Sequence, residues 1–416
     1  MKTAKRYYWL LFLCVFSTLN LAAAEKIALD IHGYLSQGFL YSNHNNYMAD
    51  TETGSFQFNE LGLNVATDVT DKLGIGFQLA ARDLGDLGDD KIIVDWAYAD
   101  YRWKDWFGLR VGKIKIPIGL YNKSRDVDML RTWILLPQSI YSETFRDNLT
   151  AIKGIGIYGD VSLKTLGDIL YQGQLGTMEI DKESSTTKMV ESMGWLKIDR
   201  YKPGKIYSWA ITWEPPLQGL RLGVSQAKTD LKTYANITED LTRPVSFPPY
   251  TITIAKKGTP MIIDTPVYRK TIYSLEFTWK ELVLAAEYGS IINNMINRIP
   301  DREPTKRNYE MEILYGSASY RFNPWFEAGL YYSLFYKDRN DRDGSKTPYN
   351  PPFNAYQKDA CLALRFDPND HWTIKLEGHL MDGTGLCFTL DNLDDNGVLK
   401  YTKNWYLLAA KMTFSF

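Results

Sequence analysis

Residues 403–416 read KNWYLLAAKMTFSF, and this stretch at the carboxy terminus decides the fold. Every second residue back from the end is aromatic or apolar, in the series Phe416, Phe414, Met412, Ala410, Leu408 and Tyr406. The alternate positions carry Ser415, Thr413, Lys411 and Ala409, with Leu407 and Trp405 before them. A β-strand directs successive side chains to opposite faces, so the pattern predicts a strand with one apolar face and one largely polar face.

Such a strand, ending at an aromatic carboxy-terminal residue, is unusual for a soluble protein. It suits a transmembrane β-barrel, whose outer face meets lipid while its inner face meets a water-filled interior. The segment resembles the terminal strand of bacterial outer-membrane proteins. That resemblance implies that the barrel assembly machinery recognises the strand ending at Phe416.

Residues 1–24 have the organisation of a secretory signal peptide. Basic residues precede an apolar stretch at 7–21, and three alanines at 22–24 offer a cleavage site. A membrane anchor is the alternative, but the stretch is short for one and the small residues follow it directly. We expect cleavage near Ala24 and a mature chain, residues 25–416, that forms a single barrel domain.

Composition agrees with a barrel and excludes some other classes. After residue 21 there is no run of about 18 apolar residues, so no membrane-spanning helix is predicted. Aromatic residues make up 14% of the chain, which suits the aromatic girdles of barrels. A net charge of −1 gives no bulk attraction to nucleic acid. Cys361 and Cys387 fall in and after neighbouring predicted strands, which favours two unpaired thiols over a disulfide.

Alternating patterns predict an all-β chain of sixteen antiparallel strands, an even number as in bacterial single-chain barrels. Their cores lie at 29–42, 56–68, 72–84, 91–103, 107–116, 150–160, 166–179, 204–214, 218–230, 268–279, 281–292, 308–321, 325–337, 356–366, 371–382 and 403–416. Short turns alternate with long connections along this series. Turns at one rim and loops at the other are typical of outer-membrane barrels, in which the short turns are periplasmic.

Charged residues occupy the polar face of several strands. In 372–380 the apolar series alternates with Lys375, Glu377 and His379, and in 72–83 the polar face includes Arg82. Charges at alternate positions would be costly in a dry core. We therefore expect these four residues on the wall of a water-filled pore. A soluble β-sandwich exposing the same faces is the alternative, but the signal segment and the terminal Phe416 fit it less well.

The long connection after the fifth strand has a composition unlike that of a free loop. Residues 113–149 read KIKIPIGLYNKSRDVDMLRTWILLPQSIYSETFRDNL, and the apolar groups at 129–141 need burial. A loop of this length inside a compact fold is usually functional. We expect residues 117–149, the constriction loop, to fold into the barrel and place charges across the channel.

The runs GLYN, RDVD, LLPQSIY and FRD resemble the constriction-loop segment of the general bacterial porins, including the phosphate-selective porin O/P-like branch. The resemblance implies a Gram-negative outer-membrane channel, usually a homotrimer, that lets ions and small hydrophilic solutes diffuse passively. It implies no enzymatic activity and no cofactor. Outer-membrane lipid and the permeating solutes are the partners it implies.

Opposed rows of charge in a narrow pore set ion selectivity. Candidate cations of the constriction are Arg110, Lys113, Lys115, Lys123, Arg125, Arg131 and Arg146. Candidate anions are Asp126, Asp128, Glu143 and Asp147. For each residue singly, a solvated loop charge or a salt bridge that holds the loop is at least as good an interpretation, whereas for the set a constriction role is favoured. The excess of basic residues indicates a mild anion preference.

Two other functional classes remain open from the sequence. An outer-membrane lipid hydrolase would need a nucleophile beside a histidine base, and a non-conducting adhesin would bind through its long loops. No G-x-S-x-G or H-E-x-x-H motif occurs, and the four histidines show no linear metal-ligand spacing, so no catalytic or metal site is predicted.

Overall fold

The computed structural model describes residues 28–85, 87–88, 90–146, 150–244, 251–346 and 351–416, and most of its strands belong to one continuous sheet. The signal segment predicted at 1–24 and the candidate anion Asp147 lie outside the described residues. The first eight strands are β1 (Asp30–Ser42), β2 (Asn59–Thr70), β3 (Leu73–Asp83), β4 (Ile93–Lys104), β5 (Phe107–Lys115), β6 (Ala151–Ser162), β7 (Asp168–Thr177) and β8 (Leu196–Pro203, continuing after Gly204 as Lys205–Glu214). The others are β9 (Leu220–Ile237), β10 (Pro260–Trp279), β11 (Leu282–Arg298), β12 (Thr305–Asn323), β13 (Phe326–Tyr336), β14 (Tyr356–Asn369), β15 (Trp372–Gly383) and β16 (Asn404–Ser415).

The sheet closes on itself because β1 pairs with both β2 and β16. Backbone bonds of 3.0 and 3.1 Å between Gly33 and Phe416 complete the seam. Both parts of β8 pair with β9, so the seventeen segments of the sheet form sixteen strands. The predicted sixteen-stranded antiparallel barrel is confirmed. Ring closure also excludes the β-sandwich alternative, because a closed barrel has no free edges.

The two faces of each strand differ as the alternation predicts. On β13 to β15 the outward residues Leu330, Leu362 and Leu376 are 46 to 59% exposed. Their inward neighbours, such as Tyr331 and Lys375, are buried. The apolar face therefore lies on the outside of the ring, where lipid would cover it.

Aromatic residues gather at the rim that carries the short turns. Trp103 and Trp106 flank the β4–β5 turn with ring centroids 5.4 Å apart. Phe322 stacks on Phe326 across the β12–β13 turn, with ring centroids 5.3 Å apart. Trp372 lies 5.1 Å from Phe414 near the carboxy terminus. Rings at this level form the girdle expected at a lipid–water boundary.

The opposite rim carries the long connections and some local structure. Strands β9 to β12 contain 17 to 20 residues, longer than their predicted cores. Because about 10 residues cross a bilayer in a tilted strand, these strands extend well beyond it. The loops add a hairpin (Leu241–Pro244 with Thr251–Ala255), the helix α1 (Ser185–Glu191) and 3-10 turns at Asp128–Leu130, Glu143–Phe145, Pro352–Ala355 and Leu390–Asn392; a further 3-10 turn, Lys164–Leu166, lies in the β6–β7 connection. No helix among the described residues is both long and apolar enough to cross a membrane.

Candidate pore constriction

The constriction loop enters the barrel and packs against the inner wall, as its apolar composition predicts. Trp133, Leu136, Ile140 and Tyr141 form one core with wall residues that include Ile313, Tyr315 and Tyr331. Ile134 and Leu135 join a second core with Leu407 and Trp405 of β16. Burial of these side chains removes apolar surface from the water of the lumen, at about 25 cal/mol per Å². This term favours the folded-in position of the loop.

One glycine of the wall makes the closest part of this packing possible. The rings of Trp133 and Tyr331 meet edge to face with centroids 5.1 Å apart. Gly329, two residues before Tyr331 on the same face of β13, lies beneath the indole. A Cβ atom at Gly329 would lie 2.6 Å from the Trp133 ring, closer than real contacts allow. A side chain there would push the loop away from the wall.

Asp128 is the main ionic anchor of the loop. Its carboxylate lies 3.1 Å from Nζ of Lys375 and 3.3 Å from Nζ of Lys411, and it accepts a hydrogen bond from Thr413 at 2.9 Å. Burial opposes its ionisation, but the two ammonium groups and Arg131 outweigh burial and hold the pKa of Asp128 below its usual range. The anchor is therefore an ionised, buried contact between the loop and strands β15 and β16.

Two wall carboxylates hold the backbone of the loop. Glu377 accepts hydrogen bonds from the N–H groups of Ile134 at 2.7 Å and Leu135 at 3.0 Å. Glu287 on β11 accepts from the N–H of Leu120 at 2.9 Å and from the Tyr141 hydroxyl at 2.5 Å. Hydrogen bonds to charged groups contribute about 1.5–3 kcal/mol each. The inward carboxylates thus satisfy loop amides that would otherwise be buried without partners.

A cluster of arginines surrounds Glu143 at the other end of the loop. Its carboxylate lies 2.7 Å from Arg82, 2.9 Å from Arg125 and 3.2 Å from Arg146. Burial raises the pKa of Glu143, but these guanidinium groups lower it more and hold it well below its usual range. Arg146 also pairs with Glu60 of β2 at 2.5 Å. This cluster ties the loop to β2 and β3.

The bonded contacts cross the lumen from one side to the other. On β3, Arg82 binds Glu143 of the loop, and Arg125 links Glu143 to the carbonyl of Tyr141 at 2.8 Å. The Tyr141 hydroxyl then reaches Glu287 on β11. Strands β3 and β11 are eight positions apart in a ring of sixteen and so lie opposite each other. The constriction loop is therefore a bonded bridge across the barrel.

An open space remains on the side of β2 to β5. A cavity of about 230 Å³ is lined by Gln78, Trp96 and Tyr98, by the cations Arg110, Lys115 and Lys123, and by Asp126, among others. Lys115 pairs with Asp126, and Arg110 pairs with Asp100 at 2.8 Å while lying over the Tyr158 ring. Lys123 is exposed, and within the described part of the chain it makes no ion pair.

Comparisons with known proteins bear on the architecture. No protein-family model matches the chain. An uncharacterized protein of Aquifex aeolicus is 30% identical over 106 residues, which are 25% of this chain, and the chain spans 23% of that relative's length.

Among solved structures, Salmonella typhi OmpF, in complex with daunomycin, matches with a TM-score of 0.55 at 11% identity, over 94% of this chain and 98% of that one. The outer membrane channel DcaP of Acinetobacter baumannii matches at 0.53 and 11% identity, over 95% and 99% of the two chains. The anion-selective porin of Comamonas acidovorans matches at 0.52 and 10% identity, over 94% and 100%. The chain has the porin fold. At such identities the likeness concerns the fold alone, and function must be argued from the site.

Within this porin fold, the predicted constriction residues separate into three groups. Six are buried or half-buried in contacts that hold the loop: Arg125, Asp126, Asp128, Arg131, Glu143 and Arg146. Three cations line the cavity: Arg110, Lys115 and Lys123. Lys113 shares the outward face of β5 with Val111, and its ammonium bonds the carbonyl of Val94. Lys113 therefore lies outside the constriction.

The predicted pore-wall residues face inward, but the expectation that they contact water is wrong for three of them. Lys375, Glu377 and His379 are 0 to 4% exposed because the loop covers them. Asp128 neutralises Lys375, loop amides bind Glu377, and Asp359 accepts from His379 at 3.0 Å. Arg82 is likewise engaged by Glu143. Inward charge here serves mainly to hold the loop.

Some residues of the site were not selected from the sequence. Glu60, Lys411 and Glu287 carry ion pairs or hydrogen bonds of the loop, and Gln78 donates to Asp126. Gln78 and Lys411 fall on faces that the alternation already assigned as polar. That face assignment was the available signal, but it does not tell which inward residues the loop will meet.

Proposed function

We propose that this protein is a porin of the bacterial outer membrane, a channel for passive diffusion of ions and small hydrophilic solutes. One observation carries the proposal: a closed ring with an apolar outer face and a charged inner face is crossed by a loop from its own chain. A water-filled lumen narrowed by an internal loop can sort solutes by size and charge. Because the loop bridges the barrel, we expect a small unitary conductance.

The selectivity we propose is a mild preference for anions, with Lys123 as its main determinant. The other cations at the cavity are paired with carboxylates, so their fields are largely cancelled at a distance. An unpaired ammonium at the edge of a narrow space attracts anions and repels cations. The size of the opening then limits which anions pass.

Planar lipid bilayer recording tests the proposal. Insertion of the folded full chain should give stepwise current. Under a salt gradient, the reversal potential should have the sign that indicates anion preference. A barrel that inserts but never conducts would contradict the channel and favour the hydrolase or adhesin alternatives. A reversal potential with the sign of cation preference would be consistent with a channel but would contradict the proposed anion preference.

We also propose that the chain assembles as a homotrimer, as its sequence resemblance implies. Chemical crosslinking of the folded protein in detergent, followed by denaturing electrophoresis, should give a trimer band. Material that remains monomeric at all crosslinker concentrations would contradict this assembly.

A further inference from the structure

The inner wall under the constriction loop brings together a thiol, an imidazole and a carboxylate, and of these only the Glu377 carboxylate has a role in holding the loop. Cys361 on β14 is paired in register with His379 on β15, and Glu377 lies two residues before His379 on the same inward face. All three are buried, at 4, 1 and 4% exposure. Their ligating atoms lie within 4.8 Å of one another.

Two of the distances between these atoms are close to those of ligands around one tetrahedral ion. Zinc–ligand bonds of about 2.0–2.3 Å place sulfur and nitrogen ligands about 3.5 Å apart, and nitrogen and oxygen ligands about 3.3 Å apart. Sγ of Cys361 lies 3.9 Å from Nε2 of His379, and that nitrogen lies 3.3 Å from Oε2 of Glu377. The sulfur–nitrogen distance exceeds the tetrahedral value by about 0.4 Å, and all three ligating atoms lie within 4.8 Å of one another, so movement of the thiol toward the carboxylate would bring the set together.

The imidazole is already oriented for such a role. Nδ1 of His379 lies 3.0 Å from Oδ1 of Asp359, so a proton on Nδ1 is donated to that carboxylate. The Nε2 lone pair then points toward Cys361 and Glu377. A carboxylate on the far nitrogen is the usual support of a metal-binding histidine, because it fixes the ring and raises its basicity. Tyr331 holds Asp359 in turn, with its hydroxyl 2.9 Å from Oδ2.

We propose that Cys361 Sγ, His379 Nε2 and Glu377 Oε2 bind one divalent cation of the zinc type, with solvent or another donor as the fourth ligand. A sulfur, nitrogen and oxygen set selects a borderline-soft ion over magnesium or calcium. The thiol loses its proton to solvent when the ion binds, and no electron is transferred. Because the three side chains are buried, the ion enters while the barrel folds or before the loop docks.

The site also has a consequence for the loop. Glu377 accepts the amide hydrogens of Ile134 and Leu135 while one oxygen faces the proposed ion. A carboxylate oxygen has lone pairs for both partners. The bound ion would therefore join the loop anchor to β14 and β15 and stiffen the constriction. This inference does not depend on whether the barrel conducts.

The test is metal stoichiometry of the tag-free full chain, folded in detergent with Zn²⁺ and then passed over a desalting column. We expect about one zinc per chain by elemental analysis, and with Co²⁺ a thiolate-to-cobalt charge-transfer band. Cys361→Ser should abolish the band and the retained metal. Cys387→Ser is the matched control and should change neither, since Cys387 lies in the β15–β16 loop.

A second variant separates a metal site from a merely structural cluster. Asp359→Asn should keep the stoichiometry and weaken affinity by about 10- to 100-fold, as expected for loss of a supporting carboxylate. Heat-modifiable migration on a gel shows whether each variant has folded. Wild-type chain that folds without retaining zinc overturns the proposal. So does metal retention, or a cobalt band, that is unchanged in a folded Cys361→Ser variant.

Discussion

Neutralising Asp128 should loosen the constriction loop. The substitution Asp128→Asn keeps the shape of the side chain and removes its charge. Lys375 then loses its only ion-pair partner within the described residues, while its ammonium remains completely buried. Lys411 keeps Glu60 as a partner. Arg131, whose guanidinium lies 3.6 Å from Asp128, loses that contact as well. The main loss is the shorter Lys375 pair, and the Lys411–Glu60 part of the cluster survives.

The expected size of the effect follows from this geometry. Breaking a buried pair by removing one partner costs about 3–5 kcal/mol, and the surviving Lys411–Glu60 pair places this case at the low end. Since about 1.4 kcal/mol is tenfold in an equilibrium constant, about 3 kcal/mol raises the population of an undocked loop about 150-fold. An undocked loop leaves a wider lumen. The channel should therefore spend more time at a level of larger conductance.

Single-channel recording in a planar bilayer measures the ratio of dwell times at the larger and smaller levels. We expect that ratio to rise about 100-fold or more in Asp128→Asn. Asp105→Asn is the matched control: this carboxylate is 92% exposed in a turn and pairs with Arg102 at 3.4 Å. Exposed pairs contribute about 0–1 kcal/mol, so the control should behave as wild type. Equal dwell-time ratios in wild type and a folded Asp128→Asn variant would refute the anchoring role.

Three further predictions concern selectivity, packing and pH. Lys123→Glu should move the reversal potential toward cations while the outward Lys113→Ala leaves it unchanged; equal shifts in both would remove Lys123 from the filter. Gly329→Ala should weaken loop docking by about 1–3 kcal/mol through overpacking against Trp133. Gly316 has open space around it, so Gly316→Ala should leave docking unchanged. The time spent at the larger conductance level measures docking in both variants, and equal values would contradict the contact between Gly329 and Trp133. The pKa of Glu143, like that of Asp128, is held below its usual range when the loop is docked. These carboxylates therefore stabilise docking fully above the ordinary carboxyl pKa of about 4 and lose that effect only as pH falls through the lowered values. Conductance should stay constant as pH falls from about 6.5 to 5, and a loop-opening midpoint near pH 6 would contradict this assignment.

The sequence was sufficient for the barrel because barrel strands obey a local rule. Side chains alternate between lipid and lumen, so positions such as Leu376 and Lys375 identify their own faces without knowledge of the neighbours. The alternation of short and long connections then sets the direction of each strand. The lengths of β9 to β12 escaped prediction because their outer parts lie beyond the lipid, where that alternation is no longer required.

The sequence was insufficient for the constriction because pairing is a long-range property. Arg125 and Arg131 looked like filter cations, yet they are 5 and 8% exposed and contact Glu143 and Asp128. Nothing local distinguishes them from Lys123, which is exposed. The expectation that Lys375 contacts water was wrong for the same reason, because the loop residues that cover it lie more than two hundred positions earlier in the chain.

The proposed metal cluster shows the same limit at shorter range. Cys361 and His379 are eighteen residues apart and show no motif, but the β14–β15 register places them opposite each other. A one-residue change of register would move the thiol to the lipid face. Linear spacing could therefore not indicate this site, whereas strand pairing does.

The central claim is that apolar residues of each strand face hydrocarbon while charged residues face an enclosed interior. Single spin labels along β16 test this claim directly in lipid bilayers. The labels are placed one at a time at positions 405–412, in a variant in which Cys361 and Cys387 are replaced by serine. We predict that collisions with dissolved oxygen are frequent at Tyr406, Leu408, Ala410 and Met412 and rare at the alternate positions. A uniform profile, or one with the opposite phase, would contradict the account.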